Sequence, residues 1–313
     1  MPFLVHRLLA PLLIGLCGLA AAAEPDACRN VRLATPGWAD IDATNALLGV
    51  TLKAIGYRPR VSMLSVPLVF QGLRSGKVDA FLGNWMPAQR QLAGPLLASG
   101  QVERIATNLE GARFTLAVPR YAAQAGVRSF ADLGAHADAF GRRIYGIEAG
   151  APANESIRRL IADPAAGLAG WQLVESSDTA LLAQLGRDLP KQRMVVFLAW
   201  EPHVVNTRFD IVYLRGGDTY FGPGGGTATV STVSWPGYAA QCGNVARLLA
   251  QLKFSVALEN EMLRLILDRR LPPELAAQQI LRGQPQWLGT WLAGVKTADG
   301  AGDALAAARQ ALR

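Results

Sequence analysis

Short apolar runs alternate along most of the chain with longer stretches in which apolar residues recur at helical spacing. Strands alternating with helices are typical of α/β architecture with mainly parallel sheets. The longer stretches predict one helix capped by Asp42 or Thr44 and ended by Gly56, and another near residues 69–75 ended by Gly76. The runs predict strands in a first unit at residues 31–35, 61–65 and 79–83, and in a second unit at 114–118, 143–147, 171–175 and 194–199, followed by 211–214. The 313-residue chain, half of it apolar, is long enough for two compact units.

The chain after residue 214 has a different pattern. A glycine-rich stretch at residues 222–226 precedes a helical remainder, in which leucines and tryptophans recur at helical spacing. The glycine-rich stretch lacks the G-x-x-x-x-G-K-[ST] and G-x-G-x-x-G patterns of phosphate-binding loops, so we expect a flexible loop there. Trp287 and Trp291 stand four residues apart and are predicted to lie in the core.

Three other tryptophans stand at or just past the carboxyl ends of predicted strands, namely Trp38, Trp85 and Trp200. Open α/β sheets bind ligands at that edge. An indole face attracts a cation by roughly 0.5 to 2 kcal/mol, and several faces together form the cage that quaternary ammonium ligands require. The placement therefore predicts an aromatic box for a cation. Trp171 opens a strand and is interpreted as structural, whereas the pattern leaves Trp235 undecided.

The first 23 residues fit a secretory signal peptide. A cationic start precedes an apolar stretch at residues 8–20 and an Ala-Ala-Ala site, so we expect cleavage before Glu24 and export to the periplasm. A membrane anchor is the alternative, but the stretch is shorter than the roughly 18 to 20 residues that span a bilayer. Cys17 could indicate a lipoprotein, yet Leu16 before it is bulky where lipidation needs a small residue.

Removal of the signal leaves two cysteines, Cys28 and Cys242, in an oxidising compartment, where we expect them to pair. The mature chain would contain only His136 and His203 and no C-x-x-C, so we expect no metal and no cofactor. A formal charge of +7 without any dense basic run favours solubility over nucleic-acid binding.

Several segments resemble the substrate-binding proteins of the glycine betaine/choline/proline betaine ABC transporters, and choline-binding proteins in particular. The resemblance covers essentially the whole mature chain and includes both cysteines. The segments that carry it are Gly-Trp-Ala-Asp at 37–40, Leu-Ser-Val-Pro at 64–67, residues 79–87 with Gly-Asn-Trp-Met-Pro, Thr-Leu-Ala-Val-Pro at 115–119, Val-Glu-Ser-Ser at 174–177 and Trp-Glu-Pro-His at 200–203.

The resemblance implies a type II periplasmic binding protein fold, in which two α/β lobes enclose a ligand cleft and are joined by two hinge crossings. One lobe would contain residues 24–113 and 213–313, and the other residues 114–212. Trp38 and Trp85 would then face Trp200 across the cleft, and closure would complete the cage. The expected partners are a small quaternary ammonium ligand and the membrane permease of an ABC importer, with the protein itself a monomer.

The same resemblance implies roles for individual residues. Phe114 stands where choline-binding relatives have a tyrosine that completes the box, and Asp40 matches an acidic residue that contacts the ligand. A carboxylate would balance an ammonium and accept a hydrogen bond from the hydroxyl of choline; the alternative for Asp40 is a helix-capping role. Ala151 replaces an asparagine of the relatives. Asn154, three residues on, either caps the helix from Glu155 or reaches the ligand.

Two classes of alternative stay open. Within the binding-protein class, the ligand could be glycine betaine, carnitine or another methylated compound. The alternative of another class is an enzyme, a secreted glycosidase that would use tryptophan platforms with carboxylates such as Asp40, Glu148 and Glu201. These acids form no recognisable pair, and the sequence contains no G-x-S-x-G nucleophile elbow. Glu201 and His203 beside Trp200 are predicted to serve a hinge or surface role. We favour a binding protein for choline that catalyses nothing.

Overall fold

A computed structural model describes residues 24–313; the predicted signal peptide lies outside the described residues. The strands are β1 (Asn30–Thr35), β2 (Arg58–Met63), β3 (Ala80–Met86), β4 (Glu103–Pro119), β5 (Arg143–Tyr145), β6 (Gln172–Val174), β7 (Val196–Glu201), β8 (Ile211–Tyr213) and β9 (Thr227–Ser234). The helices are α1 (Ala39–Ala54), α2 (Val66–Arg74), α3 (Arg90–Ala98), α4 (Arg120–Gln124), α5 (Pro152–Ala162), α6 (Asp178–Asp188), α7 (Val205–Arg208), α8 (Asp218–Phe221), α9 (Pro223–Gly226), α10 (Tyr238–Gln241), α11 (Gly243–Gln251), α12 (Val256–Leu263), α13 (Pro273–Gly283), α14 (Gln286–Trp291) and α15 (Ala304–Ala311).

All predicted strands are present, most with ends that shift by a few residues, but the strand predicted at 114–118 is the end of a much longer strand that begins at Glu103. The helices begin earlier than predicted. The helix expected from Asp42 or Thr44 begins at Ala39, directly after Trp38, and the helix expected near residue 69 begins at Val66. Gly56 follows the first of these helices with a φ of +92°, a left-handed conformation that ends it without strain.

The strand β9 was not predicted and lies where we expected only helices. Its sequence, Thr-Ala-Thr-Val-Ser-Thr-Val-Ser, is rich in β-branched residues but has few strongly apolar ones. Ser231, Thr232 and Ser234 are nevertheless buried. A central strand that fills its buried positions with small hydroxyl residues gives little hydrophobic signal, so only β-propensity could have revealed it.

The strands form one sheet in the order β2-β1-β3-β9-β4-β7-β5-β6, with β8 paired to β4. The triplets β2-β1-β3 and β7-β5-β6 at its two ends are parallel, as expected for α/β lobes. The centre is antiparallel, because β9 pairs antiparallel with both β3 and β4, and β4 pairs antiparallel with β7. The prediction of mainly parallel sheets therefore holds for the lobes and fails for the strands that join them.

The long strand β4 changes its neighbour along its length. Its first part, from Glu103 to Arg113, pairs with β9, and its continuation from Arg113 to Ala117 pairs with β7. Phe114 therefore stands just past the point where β4 exchanges one neighbour for the other. This architecture is the type II periplasmic binding protein fold, with two α/β lobes and a cleft between them.

The chain after β8 continues to pack beside β4 for several more residues. The Leu214 N–H donates to the Leu116 carbonyl at 2.9 Å, and the Phe221 ring packs on Phe114 and Phe130 with centroids 5.6 Å apart in each pair. The glycine-rich stretch that follows has an exposed middle, and its two ends pack closely against neighbouring residues. At Gly226, with φ +85°, a Cβ would lie 2.2 Å from the Phe114 carbonyl oxygen, so only glycine fits there.

Cys28 and Cys242 form the expected disulfide, with Cα atoms 5.5 Å apart. Trp291 is buried in the core, as predicted, and the half-buried Trp287 packs against it, with ring centroids 5.8 Å apart. Trp235 is resolved as structural, because its indole N–H donates to the Asp79 carboxylate at 3.0 Å and its ring packs on Tyr238. Among residues 24–313, no helix is long and apolar enough to cross a membrane, and no three His, Cys, Asp or Glu side chains are grouped as metal ligands would be.

Candidate ligand-binding site

A small cavity lies between the two lobes. The walls are predominantly apolar, and Gln89 is the polar residue among them. The lining residues are Trp38, Trp85, Ala88, Gln89, Phe114, Ile147, Pro152, Ala153, Leu198 and Trp200.

All three tryptophans predicted from the strand ends, together with Phe114, line this cavity. Trp38 stands just past β1 at the start of α1, Trp85 lies near the end of β3, and Trp200 lies near the end of β7. Phe114 on β4 is the direct cross-strand partner of Trp200. All four rings are buried. The residues that form the box therefore come from four separate elements of the sheet edge.

Side chains that were not predicted as site residues complete the wall. Ile147, Pro152 and Ala153 come from the loop and first turn before and within α5, and Leu198 precedes Trp200 by two residues on β7. Two-residue spacing on a strand places Leu198 on the same face as Trp200, which is a signal that could have identified it. The others depend on the path of a loop, which spacing does not predict.

Asp40 is not among the residues that line the cavity. Its carboxyl occupies the first turn of α1 and is 1% exposed, and its Oδ1 has no hydrogen-bond partner. Burial first, and then the negative charge of Asp178, raise the pKa of Asp40 to about 8. The helix-capping alternative is not supported, because the cap position before α1 is Trp38 and no side chain caps α1 there.

Gln89 is a polar lining residue that the sequence analysis missed. Its Nε2 donates to the Gly83 carbonyl at 2.7 Å, which fixes the orientation of the amide. Its Oε1 is then left buried without a partner. Buried polar atoms of a native protein are usually satisfied, so Gln89 Oε1 is a candidate for contact with a ligand. The buried Trp85 Nε1 faces the Asp40 carboxyl and lowers its pKa.

Ala151 and Asn154 do not line the cavity. Ala151 is buried directly before α5, at the position that caps this helix, and offers no polar side-chain atom. Asn154 neither caps a helix nor faces the cavity, since it lies inside α5, which begins at Pro152. Its Oδ1 accepts from the Ile147 N–H, and its Nδ2 donates to the carbonyls of Ile147 and Glu148. Asn154 thus holds the loop that supplies Ile147 to the wall.

Polar contacts surround the amino-terminal end of α1. The Trp38 indole N–H donates to Glu148 Oε1 at 2.9 Å, and the Ala39 backbone N–H donates to Asp178 Oδ2 at 3.1 Å. Burial raises the pKa of Glu148. His203 is buried beside Trp200, with ring centroids 4.1 Å apart, so it does not have the predicted surface role. Glu201 pairs through its backbone with Arg113 at the lobe crossing.

Comparison with known proteins identifies close likenesses over the whole described chain. A solved ABC-transporter choline-binding protein in complex with choline is 42% identical, covers 93% of this chain and 100% of its own, and superposes with a TM-score of 0.90. An unliganded, semi-closed choline-binding protein is also 42% identical, covers 92% of this chain and 99% of its own, and gives a TM-score of 0.84.

A more distant relative is the glycine betaine/carnitine transport binding protein GbuC of Listeria monocytogenes, which is 26% identical over 157 residues. That alignment covers 50% of this chain and 51% of the relative, so it spans only about half the length of GbuC. A model of the substrate-binding domain of ABC-type glycine betaine transport systems matches residues 29–283. Proteins of this kind bind a small solute and are not enzymes. The chain belongs to the family of substrate-binding domains of ABC-type glycine betaine transport systems.

Proposed function

We propose that this protein is the periplasmic solute-binding protein of an ABC importer, that it captures a quaternary ammonium compound, and that choline is the ligand its site supports best. The observation that carries the proposal is the convergence of four aromatic side chains, Trp38, Trp85, Phe114 and Trp200, on one cavity between the lobes. Aromatic faces are the side-chain surfaces that attract an ammonium without N–H donors. Such a cage selects the methylated headgroup.

The unpartnered polar atoms favour a ligand that donates a hydrogen bond. Gln89 Oε1 is an acceptor in the cavity wall, and Asp40, which the Trp85 indole N–H faces, becomes an acceptor when it ionises. A choline hydroxyl would donate to such an acceptor. A betaine or carnitine carboxylate needs donors and would be repelled by an ionised Asp40. The acceptor excess therefore supports choline over the carboxylate-bearing alternatives.

Calorimetry against choline, acetylcholine, glycine betaine and carnitine tests this proposal. We expect micromolar or tighter binding of choline and weaker binding of both carboxylates, because the latter bury an anionic group beside Asp40 without matching donors. Tight binding of glycine betaine with weak binding of choline would mean that the ligand is a carboxylate-bearing methylated compound. Binding of a sugar alone would contradict the cage altogether.

Replacement of Gln89 by leucine is expected to weaken choline binding about tenfold and to leave tetramethylammonium binding unchanged. The variant removes the unpartnered Oε1 while it keeps similar bulk, and tetramethylammonium has no hydroxyl to lose a partner. Calorimetry with both cations gives the comparison. An equal loss for both would mean that Gln89 supports only the shape of the cavity, through its bond to Gly83.

Two further points belong to the proposal. We propose that the protein acts as a monomer in the periplasm, after removal of residues 1–23, and delivers its ligand to the importer's permease. We also place the second lobe crossing within residues 222–226 rather than at residue 213, since Leu214 and Phe221 pack on the second lobe. The lobes would then comprise residues 24–113 with 227–313, and residues 114–221.

A further inference from the structure

The start of α1 lacks a cap from its own sequence. Trp38 occupies the cap position and makes no capping hydrogen bond with its side chain, although the first backbone N–H groups of any helix need acceptors. The acceptor for Ala39 comes from the other lobe, as Asp178 Oδ2 at 3.1 Å. Asp178 is itself the first residue of α6, so the amino-terminal ends of two helices converge on one carboxylate.

The second oxygen of Asp178 is bonded to His203. Asp178 Oδ1 lies 2.8 Å from His203 Nε2, and both side chains are almost fully buried. The Val205 N–H donates to His203 Nδ1 at 3.3 Å, so that nitrogen is an acceptor. The proton of a neutral imidazole is then on Nε2, which donates to Asp178. Asp178 thus accepts one N–H at each oxygen.

His203 connects this carboxylate to the cage. Its ring lies against Trp200, with centroids 4.1 Å apart and planes inclined by 33°. Ala39 stands between Trp38 and Asp40 at the other end of the connection. A continuous series of contacts therefore runs from a cage wall of the second lobe, through His203 and Asp178, to the residues that supply cage groups in the first lobe.

We infer that Asp178 and His203 are positioning residues that couple the seating of Trp200 to closure of the lobes, with Asp178 capping α1 only in the closed arrangement. The lobes must be in contact for the Ala39–Asp178 bond to form. Opening them leaves the start of α1 without this acceptor and leaves Asp178 with His203 alone. The bond between Trp38 and Glu148 crosses the same cleft and would reinforce the latch. The inference uses the proposed function only for the choice of choline as the probe.

Stopped-flow fluorescence with choline tests the coupling in the variant Asp178→Asn. Both groups that face Asp178 are N–H donors, so the amide NH2 of asparagine must oppose one of them. We expect choline to dissociate about tenfold faster with its association rate within twofold of wild type, because the lost contact exists only after closure. The variant His203→Phe keeps a ring against Trp200 without the Nε2 donor and should change the dissociation rate in the same direction.

Asp188→Asn is the matched control, since Asp188 is a buried carboxylate on the same helix whose partners, Gln184 and Arg193, belong to its own lobe. It should leave both rates unchanged. A second readout needs no ligand: fluorophores on cysteines introduced at the exposed Lys77 and Lys191, on opposite lobes, report the closed fraction of the free protein. We expect Asp178→Asn to lower that fraction severalfold and Asp188→Asn to leave it as in wild type.

The outcomes separate the latch from the choice of ligand. If choline does not bind the wild type, the proposed ligand is wrong, and the closed fraction of the free protein still decides the role of Asp178. An unchanged closed fraction in Asp178→Asn would overturn the inference. If the wild type binds choline, a wild-type choline dissociation rate in Asp178→Asn would also overturn it. An equal change of the rates in Asp188→Asn would do the same.

Discussion

Replacing Trp85 by alanine is expected to weaken choline binding by at least tenfold. The indole is buried in the wall of the cavity and offers its face to a desolvated cation, an interaction worth up to about 2 kcal/mol. A loss of about 1.4 kcal/mol corresponds to tenfold in affinity. Trp200→Ala should also cost at least tenfold. The effect of Trp200→Ala on affinity has two contributions, because Trp200 also packs on His203.

Calorimetry on Trp85→Ala, Trp85→Phe and Trp235→Phe gives a graded test. Phenylalanine keeps a smaller π face, so Trp85→Phe should lie between wild type and Trp85→Ala. Trp235 is the matched control, because its indole N–H donates to Asp79 outside the cavity. Its replacement should leave binding unchanged even if thermal stability falls. Unchanged binding in both Trp85→Ala and Trp200→Ala would show that these rings are structural.

The positions of the cage residues could be predicted because they follow from local pattern. A tryptophan at the end of a predicted strand can be located without knowledge of the strand order, since parallel strands place their carboxyl ends at one edge. Trp38, Trp85 and Trp200 are of this kind. The assignment of Trp200 to a different lobe, and the inclusion of Phe114, came instead from resemblance to a family, because no local pattern determines which strands share a lobe.

The polar groups around the cage could not be predicted, because their partners are remote in the chain. Asp178 follows Ser177 at the start of a helix, where an acidic residue is ordinary, and its bond to Ala39 spans 139 residues. Asn154 has the sequence context of a cap but is used to hold a loop. Gln89 is distinguished only by the oxygen that its bond to Gly83 leaves unpartnered. Such roles depend on tertiary contacts and leave no periodicity.

The antiparallel centre of the sheet was missed for a related reason. The strand β9 fills buried positions with serine and threonine, whereas strand prediction relies on apolar runs. Small side chains suit this antiparallel centre, because backbones approach closely beside it, as Gly226 does at Phe114. The centre of the sheet is therefore the part that the hydrophobic pattern describes least well.

Choline affinity is expected to rise as the pH increases towards 8 and to level off above it. Burial, and then the charge of Asp178, raise the pKa of Asp40 to about 8, so this carboxyl is mostly protonated at neutral pH before ligand binds. A bound ammonium favours the carboxylate and lowers that pKa, so binding releases a proton. Affinity must then increase with pH below 8, by at most about tenfold per pH unit for one proton.

One neighbouring acid bears on this expectation. Glu259 is fully buried, and burial followed by the charge of Asp40 raises its pKa well above the usual range. Ionisation of Asp40 opposes ionisation of Glu259, so binding should release one proton from this pair rather than two. Calorimetry at neutral pH in two buffers of different ionisation enthalpy measures that number directly.

Asp40→Asn decides whether Asp40 is the titrating group. Its amide cannot ionise, so the variant should bind choline more weakly, with affinity independent of pH in this range, and should lose less affinity for glycine betaine or gain some. Asp42→Asn is the matched control, two residues along the same helical turn and bonded to Thr35. It should keep the pH dependence, moved slightly lower, because the charge of Asp42 contributes to the raised pKa of Asp40. If the choline affinity of the wild type does not change with pH, or if the affinity of Asp40→Asn still does, Asp40 takes no part in recognition of the cation. The physical reason for preferring choline to a betaine would then be lost.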